Sequence, residues 1–506
     1  MSHRNQTLYV SVRFCFTRIY CKLNIKMKLL LFVQYFVLLT VPSIAQNSRR
    51  IGKFEEVFAW RQITYDIEGV PVLEDRFAEE NLAGDRRKRA SDNLYFNDEP
   101  GNERNWGPVS GPIWNANPIE PVNSPAAINP SEERGRFFVQ YNNLPMGAER
   151  FGNRLFITIP RRRYGIPATI NYISLSQRSL SPALSPYPNM RASRSVVSVY
   201  RTRADECDRL WAVDTGAIEI PNNVLYLQRP SILVYDLNTD RQILKYELKN
   251  EDLPANNTAT GLASITVEIR NNDCFDAYAY IADVVTYGLI VYSLKQNTSW
   301  RHSHNYFSFL PTAGDLRVAG QSFQWNDGVF SLTLGRLQSD GCRPAYFHPM
   351  VSSQEFVVST CELQRTEANH TAFRFLGDRG ANTQSTMHGV HTPTNVMFFA
   401  EIGRDAVSCW NVDKPLRSDN IAVLARDEER MSYPSDLHIT GDEVWVMVNR
   451  LPRFIYSRLD TSDYNFFVYR AKVQDLIEGT VCAPDYRKAQ FIERPLQFSR
   501  YQRNGK

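Results

Sequence analysis

The sequence contains no motif typical of the common catalytic chemistries. Among its 506 residues we find no nucleophile motif, no phosphate-binding loop and no paired-carboxylate signature. Cysteines at CxxC spacing are also absent, and no cysteine lies near a cluster of histidines. We therefore expect neither a metal site nor a cofactor, and the sequence alone indicates no reaction mechanism.

No apolar run is long enough to cross a membrane. The run from Leu29 to Leu39 is followed by a small-x-small pattern that ends at Ala45, whereas a spanning helix needs roughly 20 apolar residues. Residues 1–45 are therefore predicted to be an upstream extension and a signal peptide cleaved after Ala45, rather than a membrane anchor. Met27 is a second plausible start, so residues 1–26 belong either to an over-long gene model or to an extended n-region.

The chain also lacks the excess of basic residues that nucleic-acid binding requires. Residues 1–45 carry six cations and no acid, so their removal changes the formal net charge from +4 to −2. A mature chain of this charge has no basic footprint, and we expect no nucleic-acid partner.

Six cysteines remain after residue 45, an even number in a chain predicted to enter an oxidising compartment. Three disulfides and a secreted, extracellular protein are therefore expected. Three sequons, at Asn256, Asn297 and Asn369, predict N-glycosylation of surface loops.

Long amphipathic helical patterns are scarce, and short runs of alternating apolar and polar residues recur from Phe137 onward. These runs are typical of β-strands. An aromatic-rich strand, a loop and a returning strand recur in six units, at 154–174, 209–237, 277–294, 328–350, 395–410 and 443–459. The spacing suits four antiparallel strands per unit, so we predict an all-β fold, a six-bladed β-propeller over 137–485, with a C-terminal tail at 486–506.

Each unit is preceded by a stretch that we predict to be the innermost strand of its blade. These stretches lie near Val139 to Tyr141, Val196 to Tyr200, Ala263 to Ile269, Leu316 to Phe323, Thr386 to His391 and Asp436 to Ile439. Within residues 46–71, the isolated strand-like segment from Phe54 to Ile67 is predicted to complete the sixth blade, because an open last blade would expose unpaired edge groups.

Residues 72–136 form a polar insert rich in proline and glycine, which we predict to be flexible. The insert contains four consecutive basic residues, Arg86 to Arg89. Two interpretations stay open: a proprotein-convertase site with cleavage after Arg89, or a solvated run of charge.

Several strings resemble the most characteristic segments of the Yellow and major royal jelly protein family of arthropods. They include MGAERFGNRLFITIPRRRYGIPATINYI at 146–173, RADECDRLWAVDTG at 203–216, SFQWNDGVFSLTL at 322–334 and SDGCRPAYFHPM at 339–350. The similarity extends from about Phe54 to Cys482. It implies a secreted six-bladed propeller, in agreement with the repeat count.

The resemblance also implies how the cysteines pair. Cys207 and Cys274 occupy positions that the family pairs, as do Cys409 and Cys482, which leaves Cys342 and Cys361 for each other. A further cysteine pair of the founding Yellow protein is missing, since the corresponding segments here read MRASRSVV and LQRPSI.

Function in a propeller usually depends on side chains at one mouth of the central channel, where all blades meet. Candidates at the ends of the second strands are Arg161, Asp214, Asp283, Glu401 and Asn449. The predicted inner strands add Glu149, Gln324, His388, His391 and Asp436.

For the carboxylates Asp214 and Asp283, one interpretation is capping of backbone amides and the other is recognition of a cationic group. Glu149 and Asp436 would become neighbours on ring closure and could share a ligand or an ion. The ligand-binding candidates are therefore Glu149, Asp214, Asp283, Gln324, Asp436 and Asn449.

His388 and His391 are three residues apart, which places them on opposite faces of a strand and disfavours chelation of one metal. His388 is either a satisfied core residue or an acid-base group. The aromatic residues of these segments either pack between blades or stack on an aromatic ligand, namely Phe323, Trp325, Phe398, Phe399 and Trp445.

The resemblance implies three functions. The first is a melanin- and cuticle-associated protein whose channel binds a small aromatic amine or a catechol-derived compound. The second is a dopachrome-converting tautomerase, with Asp283 or His388 as proton acceptor and Arg161 stabilising the oxyanion. The third is a structural, eggshell or nutritive protein whose channel is plugged.

Overall fold

The computed structural model describes residues 50–76, 137–220, 224–254 and 260–484. Within these ranges the chain is mostly β-strand, and its helices are short: Met190–Ser193, Thr360–Leu363, Leu451–Tyr456 and Val473–Ile477. Single turns of 3-10 helix are Gln140–Asn142, Asn250–Asp252, Asn305–Phe307, Pro311–Ala313, His370–Ala372 and Ser418–Asn420. None of the helices described is long and apolar enough to span a membrane.

Six antiparallel sheets form the blades of a β-propeller, which confirms the predicted fold. From the innermost strand outward, blade one is formed by Gly147–Phe151, Arg154–Thr158, Ile170–Ser174 and Ser185–Pro186. Blade two is formed by Val199–Ala204, Arg209–Asp214, Ser231–Asp236 and Arg241–Glu247. Blade three is formed by Leu262–Arg270, Asp273–Asp283, Gly288–Ser293 and Thr298–Ser303. Blades four and five are Val329–Leu334, Pro344–Pro349, Gln354–Ser359 and Arg374–Asp378; and Ser385–His391, Val396–Glu401, Ala406–Asn411 and Ile421–Arg426.

The sixth blade is completed by the beginning of the described chain. Its inner strands are Tyr433–Thr440, Glu443–Asn449 and Phe466–Lys472, and the last of these pairs antiparallel with Phe54–Trp60, beyond which Arg50–Ile51 adds a short edge strand. The Trp60 indole, 1% exposed, donates a hydrogen bond to the carbonyl of Pro182 in blade one at 2.7 Å. The ring is thus closed by strands from both ends of the fold, as the sequence predicted, but only Phe54–Trp60 of the predicted segment joins the blade, and Tyr65–Ile67 pairs in a separate hairpin.

The second and third strands are buried on both faces because each blade packs against two neighbours. Every residue of Gly288–Ser293, Val396–Glu401 and Ala406–Asn411 is buried. This double burial explains why GLIVYS and VMFFAE read as nearly continuous apolar runs instead of alternating patterns. By contrast, the outermost strand Arg241–Glu247 of blade two contains no buried residue.

The inner-strand predictions were wrong for blades one and four. Val139 to Tyr141 leads into the 3-10 turn Gln140–Asn142, and the inner strand of blade one is Gly147–Phe151. In blade four the inner strand is Val329–Leu334, whereas the segment from Leu316 to Phe323 belongs to a separate hairpin, Asp315–Val318 with Gln321–Gln324. Its two-residue loop, Ala319 and Gly320, has positive φ at both positions (51° and 77°), a geometry that closes a chain back onto itself.

Two more small hairpins lie outside the blades, Tyr65–Ile67 with Val70–Val72 and Ala217–Ile218 with Leu225–Tyr226. The three disulfides join the pairs that the resemblance implied, with Cα separations of 5.9 Å for Cys207–Cys274, 5.6 Å for Cys342–Cys361 and 6.0 Å for Cys409–Cys482. They bridge blades two and three, two segments of blade four, and blade five with the segment after blade six.

Candidate functional site in the channel

A cavity opens at the mouth of the channel where the inner strands begin and the second strands end. Its empty space of about 620 Å³ includes open solvent, and the centres of water-sized molecules can occupy about 50 Å³ of it. Its lining comes from all blades except the fifth: Met146, Arg162, Tyr200, Ile220, Thr260, Gly261, Leu262, Ala263, Val284, Val285, Trp325, Asp327, Phe330, Met350, Tyr433, Leu451 and Ile455. Apolar and aromatic side chains dominate this list, which is typical of small-molecule sites.

Asp327 is the only carboxylate in the lining and is 3% exposed. Its Oδ2 atom has no hydrogen-bond partner among the described residues. Burial raises the pKa of Asp327 well above its ordinary value, and the positive charge of Arg162 opposes this shift only in part. A buried carboxyl oxygen without a partner is costly, so this atom is a strong candidate for contact with a ligand.

Arg162 supplies the positive charge of the cavity. It is 8% exposed, and its side chain is hydrogen-bonded to the hydroxyl of Tyr200, another lining residue. The cavity therefore combines one acidic and one basic group with apolar walls. Such a site suits a small aromatic molecule that carries charge.

The aromatic wall is held by contacts with neighbouring elements. Trp325 packs edge-on against Tyr433, with ring centroids 6.2 Å apart, and its indole N–H donates to the hydroxyl of Tyr456 at 2.6 Å. Tyr456 in turn stacks on Phe323 of the small hairpin, at 5.0 Å. Trp325 therefore both packs between elements and faces the cavity, so the two interpretations of this aromatic residue are compatible.

Arg201 closes the channel below the cavity. It starts from the inner strand of blade two, is 3% exposed, and donates to the carbonyl oxygens of Ser435 in blade six and of Ala263 in blade three, the latter at 2.7 Å. Its guanidinium also lies 4.8 Å from the centroid of Phe330 in blade four. A side chain that starts from blade two and contacts blades three, four and six must cross the central axis.

Glu149 and Asp436 lie deeper in the channel near His438, and they are neighbours across blades one and six, as predicted from ring closure. Glu149 contacts Arg203 at 3.1 Å and His438 Nε2 at 3.3 Å, and Asp436 accepts the Ala148 amide at 3.0 Å. Burial raises the pKa of Glu149 to about 7, against the opposing charge of Arg203, and it lowers the pKa of His438 well below its usual value.

Asp214 and Asp283 are fully buried and cap backbone amides. Asp214 accepts from the amides of Val197, Ser198 and Gly216 at 2.7–3.0 Å, and burial raises its pKa against the effect of these bonds. Asp283 accepts from the amide of Gly261 at 2.9 Å and forms an ion pair with Arg301 at 3.0 Å. These contacts favour the capping interpretation over recognition of a cationic ligand.

The remaining candidates lie outside the cavity lining. Arg161 donates to four backbone carbonyls, and Asn449 bonds the carbonyl of Pro145 and the amide of Leu451. Gln324 is exposed on the small hairpin and bonds Asp315. Glu401 pairs with Arg404, and His391 with Asp442.

His388 lies in a buried cluster between blades four and five, together with His348, Glu355 and Arg379. His348, Glu355 and His388 form a group of ligand-type side chains whose nearest N and O atoms lie within 4.8 Å of one another. Burial lowers the pKa of His348 to about 4; burial also opposes ionisation of Glu355, but the two histidines lower its pKa to about 2. The sequence search missed this group because its members are 7 and 33 residues apart along the chain.

Asp327 and Arg162 are candidate residues of the cavity that sequence reasoning missed. Arg162 follows the named Arg161, and Asp327 lies two residues before the true inner strand of blade four. Correct placement of that strand would have identified Asp327 at the mouth.

Two predicted glycosylation sites, Asn297 and Asn369, are exposed. The predicted sites at Ala45, Arg89 and Asn256 lie outside the described residues, and so do residues 77–136 of the insert and the whole predicted tail, 486–506.

Comparison with known proteins identifies similar sequences over most of the propeller. Residues 197–482 match the family model described as "Major royal jelly protein". The "L-dopachrome tautomerase yellow-f" of Drosophila melanogaster is 44% identical over 359 residues, covering 68% of this chain and 83% of that protein. "Protein yellow" of the same organism is 43% identical over 359 residues, covering 68% of this chain and 65% of its own length.

Solved structures give only a distant likeness. The PQQ-bound aldose sugar dehydrogenase from Streptomyces coelicolor has 9% sequence identity and a TM-score of 0.35, and the match covers 65% of this chain and 94% of that one. A likeness at this level supports no conclusion about ligand or reaction.

Proposed function

The chain belongs to the Yellow and major royal jelly protein family, and from this premise we propose that it is a secreted protein of melanin pigmentation and cuticle that binds a small aromatic amine or catechol-derived compound in the channel-mouth cavity. The observation that carries the proposal is the unpartnered, buried Oδ2 of Asp327 in an aromatic-walled cavity. The names of the relatives support the link to melanin, and secretion rests on the predicted signal peptide and the three disulfides.

Asp327 would receive the ammonium group of the ligand. A charge-assisted hydrogen bond in an apolar cavity is stronger than a neutral one, and the ring of the ligand would lie against Tyr200, Trp325, Phe330 or Tyr433. Arg162, whose charge acts on Asp327, would be the partner of a carboxylate or a catechol oxygen of the ligand. An aromatic amine with an oxygen substituent satisfies both groups at once.

Calorimetry with dopamine and serotonin on the purified full chain tests this proposal. We expect binding by the native protein and affinity at least about tenfold weaker in Asp327→Asn, since one lost charge-assisted hydrogen bond costs about 1.5–3 kcal/mol. Asp442→Asn is the matched control, because Asp442 is an exposed acid whose side chain contacts His391 outside the cavity. Absence of binding at millimolar ligand, or equal affinity in the two variants, would remove the proposal.

A second candidate function is dopachrome tautomerisation, favoured by the raised pKa of Asp327 beside Arg162. A carboxylate whose pKa is raised by burial is a better base near neutral pH, and Arg162 would stabilise the developing oxyanion. Asp283, His388 and Arg161 have no place in the cavity lining, so the acid-base roles pass to Asp327 and Arg162.

Loss of dopachrome absorbance catalysed by the pure protein tests this second function. We expect Asp327→Asn to abolish turnover, while binding of dopachrome is weakened but measurable. Asp442→Asn again serves as the control and keeps full turnover. A native protein that binds dopachrome without converting it would leave the binding function alone.

A further inference from the structure

The buried group formed by His348, Glu355 and His388 has the geometry of a metal-ion site. His348 and Glu355 lie on the second and third strands of blade four, and His388 lies on the inner strand of blade five. His348 Nδ1 is 3.0 Å from Glu355 Oε2, and His388 Nε2 is 3.1 Å from Glu355 Oε1. Two histidines from neighbouring blades therefore face the two oxygens of one carboxylate.

The outer nitrogen of each histidine is already engaged. His348 Nε2 lies 3.1 Å from the carbonyl oxygen of Ser385, and His388 Nδ1 lies 2.6 Å from the hydroxyl of Ser331. Histidines that bind metals are usually oriented in this way, with the remote ring nitrogen bonded to a carbonyl, carboxylate or other polar group.

The engagement of His348 leaves two hydrogen-bond acceptors facing each other. A carbonyl oxygen only accepts, so His348 Nε2 must carry a proton, and in the neutral imidazole Nδ1 then presents a lone pair. That lone pair faces Glu355 Oε2, which is also an acceptor. On the other side, the buried atoms Glu355 Oε1 and His388 Nε2 lie 3.1 Å apart and have no other hydrogen-bond partner among the described residues.

We propose that His348, Glu355 and His388 bind a divalent transition-metal ion of the zinc class that joins blade four to blade five. Zinc lies about 2.0–2.2 Å from nitrogen and oxygen ligands, so two ligand atoms at angles between 90° and the tetrahedral value are about 3.0–3.4 Å apart. The 3.0 Å and 3.1 Å separations fit this spacing with Glu355 as a bidentate ligand.

Arg379 orients the carboxylate in this site. Its Nη1 donates to Glu355 Oε2 at 2.6 Å, and its Nη2 donates to the carbonyls of Ser352 and Thr383. Glu401 and Asp378 also interact with the positive charge of Arg379, so Glu355 is not the only carboxylate that neutralises this charge. All three ligands are at most 2% exposed, which makes the site structural, since substrate cannot reach it.

Metal analysis of the full chain tests the proposal. The protein is dialysed against zinc, then against metal-free buffer, and measured by plasma mass spectrometry. We expect one zinc per chain, retained through the second dialysis, and a visible absorption band after replacement by cobalt. Glu355→Gln should lose the zinc, whereas His391→Asn, which removes a histidine three residues from His388, should retain it.

Thermal unfolding of the native protein supplies a test that needs no variant to fold. A chelator should lower the unfolding temperature by several degrees, and added zinc should restore it. A native chain with less than a tenth of an equivalent of metal after loading, and an unfolding temperature that the chelator leaves unchanged, overturns the proposal. A proton on His348 Nδ1 would then lie between the two acceptors.

Discussion

The indole N–H of Trp325 donates to the hydroxyl of Tyr456 at 2.6 Å, which ties the aromatic wall of the cavity to the helix Leu451–Tyr456. Tyr456→Phe removes this bond and leaves the stacking on Phe323 in place. We expect amine affinity to fall by about two- to tenfold, since one neutral hydrogen bond contributes about 0.5–1.5 kcal/mol. Calorimetry measures the change, with Tyr464→Phe as a control outside the cavity lining.

Amine binding should depend on pH through Asp327. Because burial raises the pKa of Asp327, the carboxyl of the free protein holds its proton to a higher pH than an ordinary aspartate. A cationic amine binds the ionised form, so affinity should rise as pH increases through this pKa, with release of a proton on binding. Calorimetry in two buffers of different ionisation enthalpy measures that proton, and Asp327→Asn should abolish both effects. Affinity that falls over the same range would contradict the assignment.

Glu149 should make the protein less stable as the pH rises. Its pKa is raised to about 7 in the folded state, above its usual 4.5, so the folded state binds the proton more tightly than the unfolded state. The stabilisation that protonated Glu149 gives the folded state is therefore fully present below about pH 4.5. As the pH rises to about 7, the free energy of unfolding falls by roughly 3 kcal/mol.

Urea unfolding at several pH values between 4.5 and 8 measures this loss as the difference between native protein and Glu149→Gln. Other groups titrate in both proteins and cancel in the difference. A difference that stays constant across the range would show that Arg203 keeps Glu149 ionised throughout.

After cleavage behind Arg89, the two fragments should remain associated. The strand Phe54–Trp60 pairs with Phe466–Lys472, and Trp60 is bonded to blade one, so a cut in the insert breaks no contact of the sixth blade. We expect the two fragments to elute together in size exclusion and to separate only on a denaturing gel. Trp60→Ala should weaken the association, because loss of a buried tryptophan costs about 3–5 kcal/mol.

The blades could be predicted because their strands follow a regular pattern, whereas the inner strands of blades one and four could not. Leu316 to Phe323 has the alternation of a strand, and only the turn at Ala319 and Gly320 makes it pair with itself. Local pattern cannot decide which partner a strand takes, since the choice depends on contacts that are remote in sequence.

The site was less predictable for a related reason. Strand ends indicated the mouth of the channel where the cavity opens, but Arg161 points its guanidinium at backbone carbonyls while Arg162 lines the cavity. Which of two consecutive loop residues faces inward depends on the path of the loop. The group around Glu355 could not be predicted from the sequence either, because only the packing of blade four on blade five brings His348 and His388 together.

The guanidinium of Arg201 lies across the central axis, so the channel is not an open tube. A ligand beside Asp327 would then enter and leave by the same mouth of the channel, because Arg201 lies across the axis. The rate at which the ligand is released would then depend on the residues around that mouth.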